Sequence, residues 1–167
     1  MTTSPREIDR PGHPVDEATL ASMGFMPFIL EIRPAHVDLP GSCEWTTSGD
    51  IPKGPGLYAF TVDKAGDLRV MYVGLTEELW MVTKGRLPTG QSRPAQRYGR
   101  PRYAGVTRQR VNALVAAQLQ QGRLVRHWLR PLENPPGDRV EMRSTLLRME
   151  QELITRWDLR RLGWNRG

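Results

Sequence analysis

The chain has little sulfur chemistry to offer. One cysteine, Cys43, occurs in 167 residues, so no internal disulfide forms and no cysteine cluster is there to hold zinc. A reducing, cytoplasmic setting is expected. Long hydrophobic runs are also missing: the apolar stretches fall well short of the roughly 20 residues a membrane span requires. Residues 1–10 are polar and charged where a secretory leader would carry an apolar core. Neither a membrane partner nor secretion by the usual route is expected. The three histidines, His13, His36 and His127, are scattered, and unpaired histidines are a weak metal signal. The most informative absence is of one sign of charge, for no acidic residue stands between Glu78 and Glu133.

That acid-free interval holds Lys84, Arg86, Arg93, Arg97, Arg100, Arg102, Arg108, Arg110, Arg123, Arg126 and Arg130, 11 of the 24 basic residues of a chain with net charge +6. Arginine presents a planar fork of donors that matches phosphate, and unopposed arginines give salt-sensitive, sequence-independent affinity for nucleic acid. Lys84, Arg93, Arg97, Arg100, Arg102, Arg108 and Arg110 are therefore the expected contacts to a DNA backbone. Tyr98 and Tyr103 are interleaved among them, and Tyr98 is placed with them as a stacking contact. Two other readings stay open, a solvated basic surface and a patch that binds an acidic protein.

The length suits one modest core. Residues 1–15 contain three prolines and no hydrophobic period, which reads as a mobile arm or extended strap. A short helix capped by Asp16 is expected next, then an apolar segment, 23–30, broken by Gly24 and Pro27 and packed on the main domain. Residues 34–55 read as a loop. The domain division expected is an N-terminal extension over 1–50 and a folded domain over 51–167, with no internal repeat.

Within that domain, 56–62 and 68–74 read as a hairpin turning near Ala65. A symmetric hairpin there pairs positions summing to about 130, which sets Tyr58 opposite Tyr72 on one face. Tyrosine is also simply favoured in strands, so the pair alone leaves an ordinary half-buried sheet open. A helix is expected over 107–121 from Val111, Leu114, Val115 and Leu119, with Gly122 ending it. A third strand follows over 124–132, and a last helix over 141–158. On that helix, at 100° per residue from Leu146, Glu150 falls at about +40°, between Trp157 at about +20° and Ile154 at about +80°. Glu152 falls on the opposite side. A glutamate in an apolar stripe needs a cation, a metal or hydrogen-bond donors, so a salt bridge to an arginine and a functional carboxylate are both open.

Gly56-Leu57-Tyr58, Tyr72-Val73-Gly74 at hairpin spacing, a following arginine, Met149-Glu150-Gln151-Glu152-Leu153-Ile154 and Trp164-Asn165 together resemble the GIY-YIG nuclease superfamily, from about residue 52 onward. The resemblance implies a small α/β domain of the α+β kind, with a three-stranded antiparallel sheet flanked by helices, that cuts DNA with one divalent metal, Mg²⁺ or Mn²⁺. By that likeness Glu150 is the metal ligand, Tyr58 and Tyr72 line the site with one of them activating or orienting the attacking water, and Arg86 is the catalytic arginine. Arg93 and Arg97 are its alternatives, because Arg86 lies twelve positions beyond Gly74 (86 minus 74) in a segment with Gly and Pro. Gly74 is followed by Leu75-Thr76-Glu77-Glu78, where many members carry a basic residue. A binding module of the same fold without useful catalysis is the alternative function.

Overall fold

The protein is described by a computed structural model over residues 4–32, 45–47, 51–79 and 106–166. Its centre is the expected hairpin. β4 (Gly56–Lys64) and β5 (Asp67–Thr76) are joined by a two-residue turn in which Ala65 and Gly66 both have positive φ, 51° and 84°. Such left-handed turns match the right-handed twist of the strands, and glycine takes the second position without strain. β6 (Val125–Pro131) pairs with the other side of β4, so β5-β4-β6 reproduces the three-stranded antiparallel sheet read from sequence.

The sheet does not stop there. β1 (His13–Pro14) pairs with β5, and β2 (Met26–Ile32) pairs with β6. The order is β1-β5-β4-β6-β2, all antiparallel, with the short β3 (Trp45–Thr47) added outside β2. The sheet is therefore wider than expected, and residues before 50 contribute strands to it. Pro27, expected as a break, sits in a strand; among the described residues β3 pairs with β2 only from Leu30 onward, so at Pro27 one side of β2 has no described partner and tolerates a missing N–H. The segment 4–14 is packed as well. α1 (Pro5–Ile8) starts with proline in its first turn, where the absent N–H costs nothing, and buries Glu7. α2 (Glu17–Ser22) is capped by Asp16, whose carboxylate accepts from Thr19 N–H at 2.6 Å.

Two helices complete the layers. α3 (Val106–Gln120) sends Val111, Leu114 and Val115 onto the face of the sheet that carries Tyr58, Phe60, Val62, Tyr72 and Leu129. α4 (Arg139–Arg156) sends Leu146, Leu153 and Ile154, with Trp157 just after it, onto the opposite face beside Leu57, Ala59, Val73 and Trp128. Period-two alternation along β4 and β6 explains the division. No described helix is long and apolar enough to cross a membrane.

Candidate active site

Tyr58 and Tyr72 lie on one face, but not opposite each other. The register pairs Tyr58 with Gly74 and Phe60 with Tyr72, and an irregularity between Phe60 and Thr61 returns the strands to Thr61 opposite Val70. A bulge leaves Met71 as the extra residue, which a symmetric count could not include. The displacement is an even number of positions, so the shared face survives. The two rings stand diagonally at 6.0 Å between centroids, and the Tyr72 hydroxyl is hydrogen-bonded to Tyr58. Gly74 has a packing reason to be glycine: the Tyr58 ring crosses directly above it, and any Cβ there would overlap the ring and come to 2.5 Å from its Oη. His127 completes the aromatic group. Fully buried on β6 opposite Phe60, it stacks on that ring at 4.5 Å and meets the Tyr58 ring edge-on at 5.7 Å.

Glu150 comes to this pair around the margin of the sheet. α4 covers the face opposite the tyrosines, so the carboxylate does not share their face; it reaches the outer edge of β5 and accepts from the Leu75 backbone N–H. The helical position read from sequence holds, with Glu150 half-buried and Glu152 exposed. Burial pushes the Glu150 carboxyl above its ordinary value, opposed in part by Gln151 and the Leu75 amide. Among the described residues no arginine is among the groups that shift it. Tyr72 is pushed well above the usual phenol value, by burial first, then by Tyr58 and by the Glu150 carboxylate, against a smaller opposite pull from Arg110. It is a neutral hydrogen-bond donor and not a base at physiological pH.

The same edge is finished by the segment after α4. Trp164 N–H donates to the Met71 carbonyl at 2.6 Å, and the Asn165 amide bridges Val73, accepting from its N–H at 3.1 Å and donating to its carbonyl at 2.8 Å. Asn165 stands in the sequence motif, but only the fold reveals this role as a substitute strand partner.

Arg110 belongs to the interior and not to a DNA-facing surface, as the basic block suggested. It is 5% exposed; its Nη1 donates to Glu7 at 3.0 Å and its Nη2 to the Trp164 carbonyl at 2.7 Å. Both terminal nitrogens of its fork are engaged inside the fold. Glu7 was missed by sequence reasoning, and the available signal was the helix-starting Ser4-Pro5 ahead of it. Burial raises its carboxyl, but Arg166, Arg110 and Arg10 more than reverse this and hold it below the ordinary carboxylate range. Lys84, Arg86, Arg93, Arg97, Tyr98, Arg100 and Arg102 lie outside the described residues, as does the side chain of Arg108. Among the described residues the half-buried carboxylate has one amide, one side-chain partner and no cation, which fits a divalent ion that keeps most of its waters and needs a single protein carboxylate. Among the described residues no group of three or more His, Cys, Asp or Glu could hold a metal by protein ligands alone. No protein-family model matches the chain, no curated protein matches it, and no solved structure matches its fold.

Proposed function

We propose that the chain is a metal-dependent endonuclease that hydrolyses DNA phosphodiesters in the cytoplasm through a GIY-YIG-type site, with Tyr58, Tyr72 and Glu150 in the site and Arg86 as the arginine on the phosphate. The observation that carries this reading is the pair of neighbouring phenols on β4 and β5 together with a half-buried carboxylate at the β5 margin, near enough to raise Tyr72. Glu150 would hold the Mg²⁺ or Mn²⁺, which would supply charge to offset that building on the phosphate and the leaving oxygen. Tyr72 stays protonated and fixes the Tyr58 oxygen through its own O–H. Tyr58 in turn orients the attacking water against the phosphorus. The arginine fork takes the non-bridging oxygens as negative charge collects on them, and the rest of the basic block holds the backbone on either side.

A second reading rests on a specific observation: Tyr58 and Tyr72 are only 8% and 7% exposed, which leaves little phenol surface for a substrate. A module of this fold that binds nucleic acid without cutting it accommodates that burial. Incubation with supercoiled plasmid and Mg²⁺ or Mn²⁺, beside a Glu150→Ala variant, separates the two. Nicking by the wild type and not by the variant supports the nuclease. An intact plasmid under both metals, together with DNA affinity that falls steeply with salt, supports the binding module.

A further inference from the structure

We propose that Glu7 and Arg110 are positioning residues for Tyr72, acting through the segment that runs along the β5 edge; the inference rests on the nuclease reading above. Tyr72 stands between Met71 and Val73, and these two residues are the ones gripped from outside, Met71 by the Trp164 amide and Val73 by the Asn165 side chain. The grip is only as firm as the segment that makes it. Its carbonyl at Trp164 accepts from Arg110 at 2.7 Å, its indole Nε1 donates to the Glu7 carbonyl at 3.1 Å, and the Arg166 guanidinium donates to the Glu7 carboxylate at 2.7 Å. Arg110 is held in turn by Glu7 at 3.0 Å, with the two side chains 6% and 8% exposed. An N-terminal helix of one turn, the middle helix and the last residues of the fold thus converge on three consecutive positions of one strand.

The bulge at Met71 makes this attachment matter. A bulged residue leaves the ladder locally disrupted, so the orientation of Tyr72 just beyond it is set by the outer contacts as much as by β4. A misplacement of a reacting group by about 1 Å can cost roughly a hundredfold in rate. Among the described residues the charged groups that act on Tyr72 are Glu150 from α4 and Arg110 from α3, and Arg110 in turn faces Glu7 and Arg10 of the N-terminal segment and Arg166 of the C-terminal one.

The test uses the full chain and replaces the pair together, Glu7→Gln with Arg110→Met, because removing both charges leaves no buried ion uncompensated. Arg110→Lys is the conservative companion, and Tyr72→Phe is combined with each. Melting temperature, DNA affinity without metal, and single-turnover plasmid cleavage against protein concentration are read for all. The paired variant is expected to fold and to bind DNA within about twofold of wild type while its maximal rate falls roughly ten- to a hundredfold. Adding Tyr72→Phe to it is expected to cost nothing more, and Arg110→Lys to recover part of the rate. A folded paired variant that cuts at the wild-type rate, or losses that multiply with those of Tyr72→Phe, overturns the positioning role and leaves the nuclease reading standing. A wild type that cuts no DNA under either metal overturns both.

Discussion

Two glutamates are withdrawn from water in this fold, and the protein treats them in opposite ways. Glu7 gathers Arg110 and Arg166 by direct hydrogen bonds, with Arg10 nearby, and its carboxyl sits below the ordinary range. Glu150 receives one backbone amide and Gln151, and its carboxyl sits above that range. A carboxylate held by two guanidinium groups is engaged within the fold; one that meets no cation among the described residues is ready to take one from solution. The comparison separates a carboxylate that holds the fold from one available for chemistry, a separation that sequence cannot make from residue type.

The largest test of the contrast removes the available carboxylate. Glu150→Ala is expected to lower metal-dependent plasmid cleavage by about a thousandfold, the scale on which a bound cation stabilises charge in phosphoryl displacement, with the melting temperature kept. Equal cleavage by variant and wild type would place the metal elsewhere. The matched carboxylate answers the other way. Glu7→Gln leaves Arg110 buried beside a neutral partner, and a loss of about 3–5 kcal/mol in urea unfolding is expected. The effect lies in stability first, and a variant as stable as wild type would show that Arg166 and the Trp164 carbonyl suffice to hold the segment.

What the sequence made legible follows the reach of its signals. The hairpin, the helix over Val106–Gln120, the strand over Val125–Pro131 and the last helix are local periodic patterns, and each falls within a few residues of its expected place. The inward position of Glu150 was readable for the same reason, since angle around a helix is a local property. Three things were not. The bulge at Met71 shifts the pairing of Tyr58 and Tyr72 without leaving a mark in composition. β1 and β2 lie in segments where proline and glycine hide the strand period, and only long-range pairing with β5 and β6 makes them strands. Arg110 looked like one more member of a basic block, whereas its partner Glu7 lies 103 positions away, beyond any local pattern.

Gly74→Ala probes the seam between the two regions without touching a charge. The new methyl overlaps the Tyr58 ring, so either the ring turns out of its place beside Tyr72 or β5 moves from β4. A cost of about 1–3 kcal/mol is expected for overpacking of this kind, together with cleavage lost beyond what the stability change explains. A variant that folds and cuts normally would show that the close approach of the Tyr58 ring is not needed by the site.

The smallest effect is the most discriminating, because it should have the unusual sign. The folded Glu150 carboxyl holds its proton more tightly than the unfolded one. Ionising it therefore costs the folded state nothing below its ordinary value of 4.5 and the full amount above the raised one. Glu150→Gln removes that cost while keeping an oxygen for the Leu75 amide, so without metal the variant should melt slightly higher than wild type at pH 7 and equally at pH near 4. Glu7 runs the opposite course: its lowered carboxyl stabilises the fold above its ordinary value and loses this as acid protonates it, so Glu7→Gln should melt lower at pH 7 and approach wild type in acid. Saturating Mg²⁺ should then raise the melting temperature of the wild type and leave that of Glu150→Gln where it was. A Glu150→Gln variant that melts lower than wild type at neutral pH would mean that the ionised carboxylate is stabilised within the fold, as that of Glu7 is, and the distinction between the two glutamates would be gone.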